Sequence, residues 1–144
     1  MSLQIKDTLS PALRRRAAAL HNRKPILQAM GAEFVSLTKR AFTTPSLRAQ
    51  PWPDKRDGTP ATLRQSGALW QSIRVAETTN DAVTVGSDRK YAAIHQFGGK
   101  IQRGDKTTTM PARPFFPVLN GRLTPEAQKQ IGNVAQLKLN HLLR

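Results

Sequence analysis

The chain has 144 residues, 38% of them hydrophobic, no cysteine, and 23 lysines and arginines against 9 acids, for a formal charge of +14. That length supports one domain with a modest core, and the lack of cysteine excludes disulfides, thiolate metal sites and cysteine nucleophiles together. The positive field favours polyanions and acidic protein faces. No run approaches the ~18 apolar residues of a membrane span, and the N-terminus lacks the charged-then-apolar order of a signal peptide, so a soluble chain retained in the cell that makes it is expected.

In chain order, Ser10-Pro11 reads as a helix cap followed by a first-turn proline, opening a helix to about His21. Asn22-Arg-Lys-Pro25 breaks it. From Pro25 to Phe42, Ile26, Leu27, Met30, Phe34, Leu37 and Phe42 recur at three- and four-residue intervals, the spacing of an amphipathic helix. Thr43 to Ala61 holds four prolines, Trp52 and the turn pair Asp57-Gly58, and predicts an irregular, partly mobile loop. Ser66 to Ile73 predicts a short helix running into a strand. Ser72–Ala76 and Ala82–Gly86 then predict a hairpin around Thr79-Asn-Asp81, with Val83 and Val85 on its inner face. Tyr91 to Phe97 predicts a short helix ended by Gly98-Gly99 as a left-handed cap, with Tyr91 and Phe97 anchoring it in the core. Within it, His95 and Gln96 are placed to hydrogen-bond neighbouring backbone.

Gly104, between Arg103 and Asp105, predicts a turn joining strands near Lys100-Ile101 and Thr107–Met110. Met110-Pro-Ala-Arg-Pro-Phe-Phe-Pro117 has too many prolines for a helix and predicts an extended strap. Its candidate anchors are Phe115 and Phe116, and Arg113 is available to an acid or a carbonyl. Thr124-Pro-Glu126 opens a last helix to Leu143, with Ile131, Val134, Leu137 and Leu142 on the expected apolar side and docking to another subunit as one expected use. The expected class is α+β: a small antiparallel sheet packed by the helix in the N-terminal half, plus a C-terminal helix. One unit, 1–144, divides into helical 11–42, Pro-rich loop 43–61, β-rich core 62–119 and helix 124–143.

Catalytic chemistry finds little support. His21, His95 and His141 have no ligand-type neighbour at three or four residues, and the acids are scattered, mostly in turns. No nucleophile elbow, phosphate-cradling loop or dinucleotide fingerprint occurs. No catalytic residue, metal ligand or cofactor-binding residue is therefore assigned, no cofactor or small-molecule substrate is expected, and a lone His95 reads as structural. Arg14, Arg15 and Arg16 fan over about 200° of a helix and read first as a solvated face. The spread of basic pairs leaves nonspecific contact with DNA open, although no sequence-reading module is present.

A specific resemblance rests on an ordered set of segments. These are Trp52 in its Pro-rich loop; Leu63-Arg-Gln-Ser-Gly-Ala-Leu-Trp-Gln-Ser-Ile73 with Trp70; the hairpin ending Val83-Thr-Val-Gly-Ser87; Tyr91-Ala-Ala-Ile-His-Gln-Phe-Gly-Gly99; and Met110-Pro-Ala-Arg-Pro-Phe-Phe116. Together they resemble the phage virion morphogenesis, or tail completion, family of Mu-like and P2-like phages and prophages. The resemblance implies a noncatalytic assembly subunit, homo-oligomeric and contacting other tail or head–tail connector proteins, found in the virion and, during assembly, in the host cytoplasm. Trp52, Trp70, Tyr91, His95, Gln96, Phe97, Gly98, Gly99, Pro111, Arg113, Pro114, Phe115 and Phe116 are its signature positions, and the Trp52 loop is expected to serve as an assembly surface that orders on contact. A basic nucleic-acid-binding module is the alternative.

Overall fold

The computed structural model describes residues 1–5, 11–18 and 20–143; the expected cap Ser10 lies outside the described residues. The fold is α+β, as expected. The centre is α2 (Lys24–Ala41), whose bounds fall within one residue of the apolar period and which buries Ile26, Leu27, Met30, Phe34, Leu37 and Ala41. Helix α1 (Pro11–Ala18) precedes it and stops short of His21. One side of α2 meets a three-stranded antiparallel sheet in the order β1 (Ser2–Ile5), β3 (Val83–Gly86), β2 (Arg74–Thr78). Val83 and Val85 are fully buried there. Gly31 sits where a Cβ would press on Val83 and Val75, so the bare helix backbone lets the sheet close onto α2.

The strand β1 is not among the predicted elements. It pairs Leu3 with Val85 and Ile5 with Val83, and is pinned by two bonds between Met1 and Ser87: the Ser87 N–H donates to the Met1 carbonyl and the Met1 ammonium to the Ser87 carbonyl. The strand predicted over Ser72–Ala76 is β2 and lies two residues later than expected, because α3 (Ala68–Ser72) occupies its start. A bulge between Val75 and Glu77 shifts its register.

The other side of α2 carries α5 (Pro125–Leu142), capped as expected by the Thr124 hydroxyl, which accepts the Ala127 N–H. Its buried stripe is a correction to the sequence reading. Ala127, Ile131, Ala135 and Leu139 face inward, whereas Val134 is half-buried and Leu137 is 71% exposed. Two alanines at i and i+8 let the helices approach closely, and a reading weighted toward large side chains rotates the helix by about one position. The buried stripe of α5 packs against α2 within the chain, and Leu137 remains exposed.

Two ribbons complete the chain: β4 (Gly99–Arg103) with β5 (Lys106–Met110), and β6 (Val118–Leu119) with β7 (Arg122–Leu123). The second is turned by Asn120-Gly121, both at positive φ, a hairpin signal that the predicted elements pass over. Between β3 and β4 lies α4 (Ala92–Phe97), and between β5 and β6 runs the strap.

Candidate functional site: the corner between α4 and the strap

Along the strap, prolines at 111, 114 and 117 remove three backbone donors and rule out ladder pairing, yet residues 113–117 are buried. Every remaining polar group there needs a local partner. The Phe115 and Phe116 N–H groups both donate to one atom, Oε1 of Gln96, at 3.0 and 2.9 Å. Gln96 is 4% exposed, and its neutral amide oxygen has two lone pairs, so it satisfies both donors without burying a charge. The Arg113 N–H donates to the His95 carbonyl at 2.7 Å. One turn of α4 thus holds three strap amides.

From the opposite side comes the Pro-rich loop. Its Trp52 Nε1 donates to the Pro114 carbonyl at 2.8 Å, and Arg113, 6% exposed, donates from Nε and a terminal nitrogen to the carbonyls of Pro53 and Asp54 at 2.8 and 2.9 Å. Of the two kinds of partner open to Arg113, the structure uses carbonyls. The Arg48 guanidinium lies 3.6 Å from the Trp52 ring centroid and donates to the carbonyls of Ala41 and Phe42, which satisfies the last carbonyls at the end of α2. Phe42 meets Trp52 edge-on at 5.8 Å and tilts against Phe115 at 5.8 Å; Phe116 stacks on Phe34 at 5.5 Å.

Two expectations are corrected by this geometry. Trp52 is only 9% exposed, so its indole is an internal anchor rather than part of a surface that orders on contact; the loop carries a 3-10 turn, Pro45–Leu47, and is exposed throughout over residues 43–46 and 53–60. Tyr91 and Phe97 do not anchor α4. They are 40% and 66% exposed, and the buried residues of the helix are Ala92 and Gln96, one turn apart. A helix of six residues has room for one inward stripe, and Gln96 takes it for the strap amides.

Gly98 ends α4 at φ 71°, ψ −176°, outside the left-handed helical region expected of a cap, with its N–H on the Ile94 carbonyl at 2.8 Å. A Cβ there would strike the Met110 carbonyl and the Ala112 nitrogen, so glycine is required both by backbone angle and by contact with the strap. Gly99, also at positive φ, starts β4; Pro111 is exposed. Trp70 belongs to a different neighbourhood: its Nε1 donates to the Lys39 carbonyl, and Lys39 and Arg64 lie 4.7 and 4.9 Å from its ring centroid. Arg48, Phe34 and the Pro53 and Asp54 carbonyls were not predicted as parts of the corner. Phe34 was legible as core, but nothing in sequence marks which carbonyl a buried arginine will use.

His95 meets Tyr91 edge-on at 5.6 Å, and its Nδ1 is buried with no hydrogen-bond partner among the described residues. Burial, and secondarily the positive charge of Arg113, hold its pKa below the ordinary 6.5. Among the described residues no group of three or more His, Cys, Asp or Glu is placed to hold a metal ion. A cleft of about 410 Å³ opens elsewhere, beside Ala17, Ile26, Leu27, Met30 and the already joined Arg23–Asp81 pair.

Gln96→Ala strands two buried N–H groups, each costing ~1–3 kcal/mol. The expected result in denaturant titration is a destabilisation of about 2–6 kcal/mol; a loss below ~0.5 kcal/mol would show that the strap does not depend on this oxygen. For His95, the unfolded chain takes up a proton at higher pH than the folded one. The contribution of the neutral ring is therefore present above pH ~6.5 and lost as pH falls below it. His95→Phe keeps the ring and removes the unpartnered nitrogen. Its melting temperature should fall less than that of the parent between pH 7 and 5, and parallel pH curves would refute the assignment.

The profile of the phage virion morphogenesis family matches residues 2–140. Mu-like prophage FluMu G protein 2 of Haemophilus influenzae is 36% identical over 123 residues, spanning 85% of this chain and 83% of that protein. No solved structure matches. The match runs through the strand β1, the α4–strap corner and nearly all of α5, and the chain belongs to the phage virion morphogenesis family.

Proposed function

We propose that this protein is a noncatalytic structural subunit that acts in tail completion or in joining the tail to the head, as a homo-oligomer in contact with other tail or connector proteins. In this reading it resides in the virion and, during assembly, in the host cytoplasm. Family membership supports the assembly role. The observation that carries the finer reading is the division of labour within Tyr91–Gly99: Gln96 is consumed internally, while Tyr91 and Phe97 stand outward on a rigidly held helix. Exposed aromatics on a fixed support suit protein contacts, because they bury large area at little entropic cost.

Truncating an interface aromatic typically costs ~2 kcal/mol or more, about 30-fold in affinity. Tyr91→Ala/Phe97→Ala is expected to melt like the parent, to dissociate at about 30-fold higher concentration in native mass measurements, and to leave unjoined heads and tails in electron micrographs. Normal infectious particles from a phage or prophage carrying the double variant would overturn this reading.

A further inference from the structure

The ribbon β4–β5 stands apart from the rest of the fold. Its strands pair over five residues, Gly99 with Met110 through Arg103 with Lys106, and make no extensive contact with another element. Gly104, at φ 60°, opens the two-residue turn in the manner of a II′ hairpin. Residues facing each other across an antiparallel pair share one side of the ribbon. Lys100, Gln102, Thr107 and Thr109 therefore form one side, and all four are exposed. On the other side Ile101, Thr108 and Met110 are half-buried, and the tip carries Arg103 directly opposite Lys106, both exposed.

Like charges directly opposite each other destabilise a strand pair, and a two-stranded ribbon is marginal on its own. Neither Arg103 nor Lys106 has an ion-pair partner among the described residues; the tip carries these two cations on directly facing positions with one acid, Asp105, in the turn between them, and Lys100 brings the ribbon to a net +2. The occupant that fits is densely anionic. A second copy of the chain is a poor electrostatic match, because it also carries +14. Duplex DNA carries one charge per ~1.7 Å of axis, and its major groove admits a two-stranded ribbon. On the opposite side of the ribbon, threonine hydroxyls and the Gln102 amide add donors that suit phosphate oxygens.

We propose that the β4–β5 ribbon is an arm that binds the backbone of duplex DNA without sequence preference, with Arg103 and Lys106 as paired phosphate contacts and Lys100 on its exposed side. This is independent of the assembly reading, because it uses different residues and a different partner. The test is binding of the full-length protein to a random-sequence 30-base-pair duplex across a salt series. Three proteins are compared: the parent, Arg103→Gln/Lys106→Gln, and the charge-matched control Arg122→Gln/Lys129→Gln, exposed positions outside the ribbon. Each lost phosphate contact lowers the slope of log affinity against log salt by about 0.9. The ribbon variant is expected to lose about 1.8 from that slope and the control far less, with native mass unchanged in both. Equal losses in the two variants would assign binding to net charge alone and overturn the proposal. So would absence of duplex binding at low salt, or a ribbon variant that keeps DNA binding but no longer captures a purified tail or head protein.

Discussion

A single amide oxygen, Gln96 Oε1, holds the buried part of the strap in place. Three prolines prevent the strap from joining a sheet, yet its phenylalanines must be buried, and burial strands the N–H groups of Phe115 and Phe116. Gln96 accepts both. With those bonds in place Phe116 reaches Phe34 and Phe115 reaches Phe42, and the Pro114 carbonyl is presented to Trp52. Replacing this oxygen with water would require opening the core, which ties local hydrogen bonding to global stability.

The same corner explains why the outer surface looks as it does. Because α4 is short and its one inward stripe is committed to Ala92 and Gln96, its aromatic ends are left facing solvent. The chain turns at Gly98 directly into the ribbon, so outward aromatics and basic arm both emerge from one rigid base. Their chemistry is distinct, aromatic on the helix and cationic on the ribbon.

Much of this was legible in sequence where one rule dominated. The apolar period located α2 within one residue, Val83 and Val85 announced an inner face, and Thr124-Pro-Glu126 marked the start of α5. Legibility failed where residues were small or partners distant. Ala127 and Ala135 carry the buried stripe of α5 that larger neighbours seemed to claim. β1 is too short to show a period and exists because β3 offers it an edge. Tyr91 and Phe97 were misread as anchors because an aromatic is usually worth more inside than a glutamine, unless buried donors require the glutamine. The fit of Gln96 to two strap amides 19 and 20 residues away depends on tertiary geometry that no local spacing encodes.

Amide hydrogen exchange tests the dependence on Gln96 most directly, residue by residue. Exchange at the Phe115 and Phe116 amides should be as slow as in the middle of α2, near Phe34, because opening either requires unfolding the core. Exchange at those two amides as fast as in the exposed loop 53–60 would contradict the account.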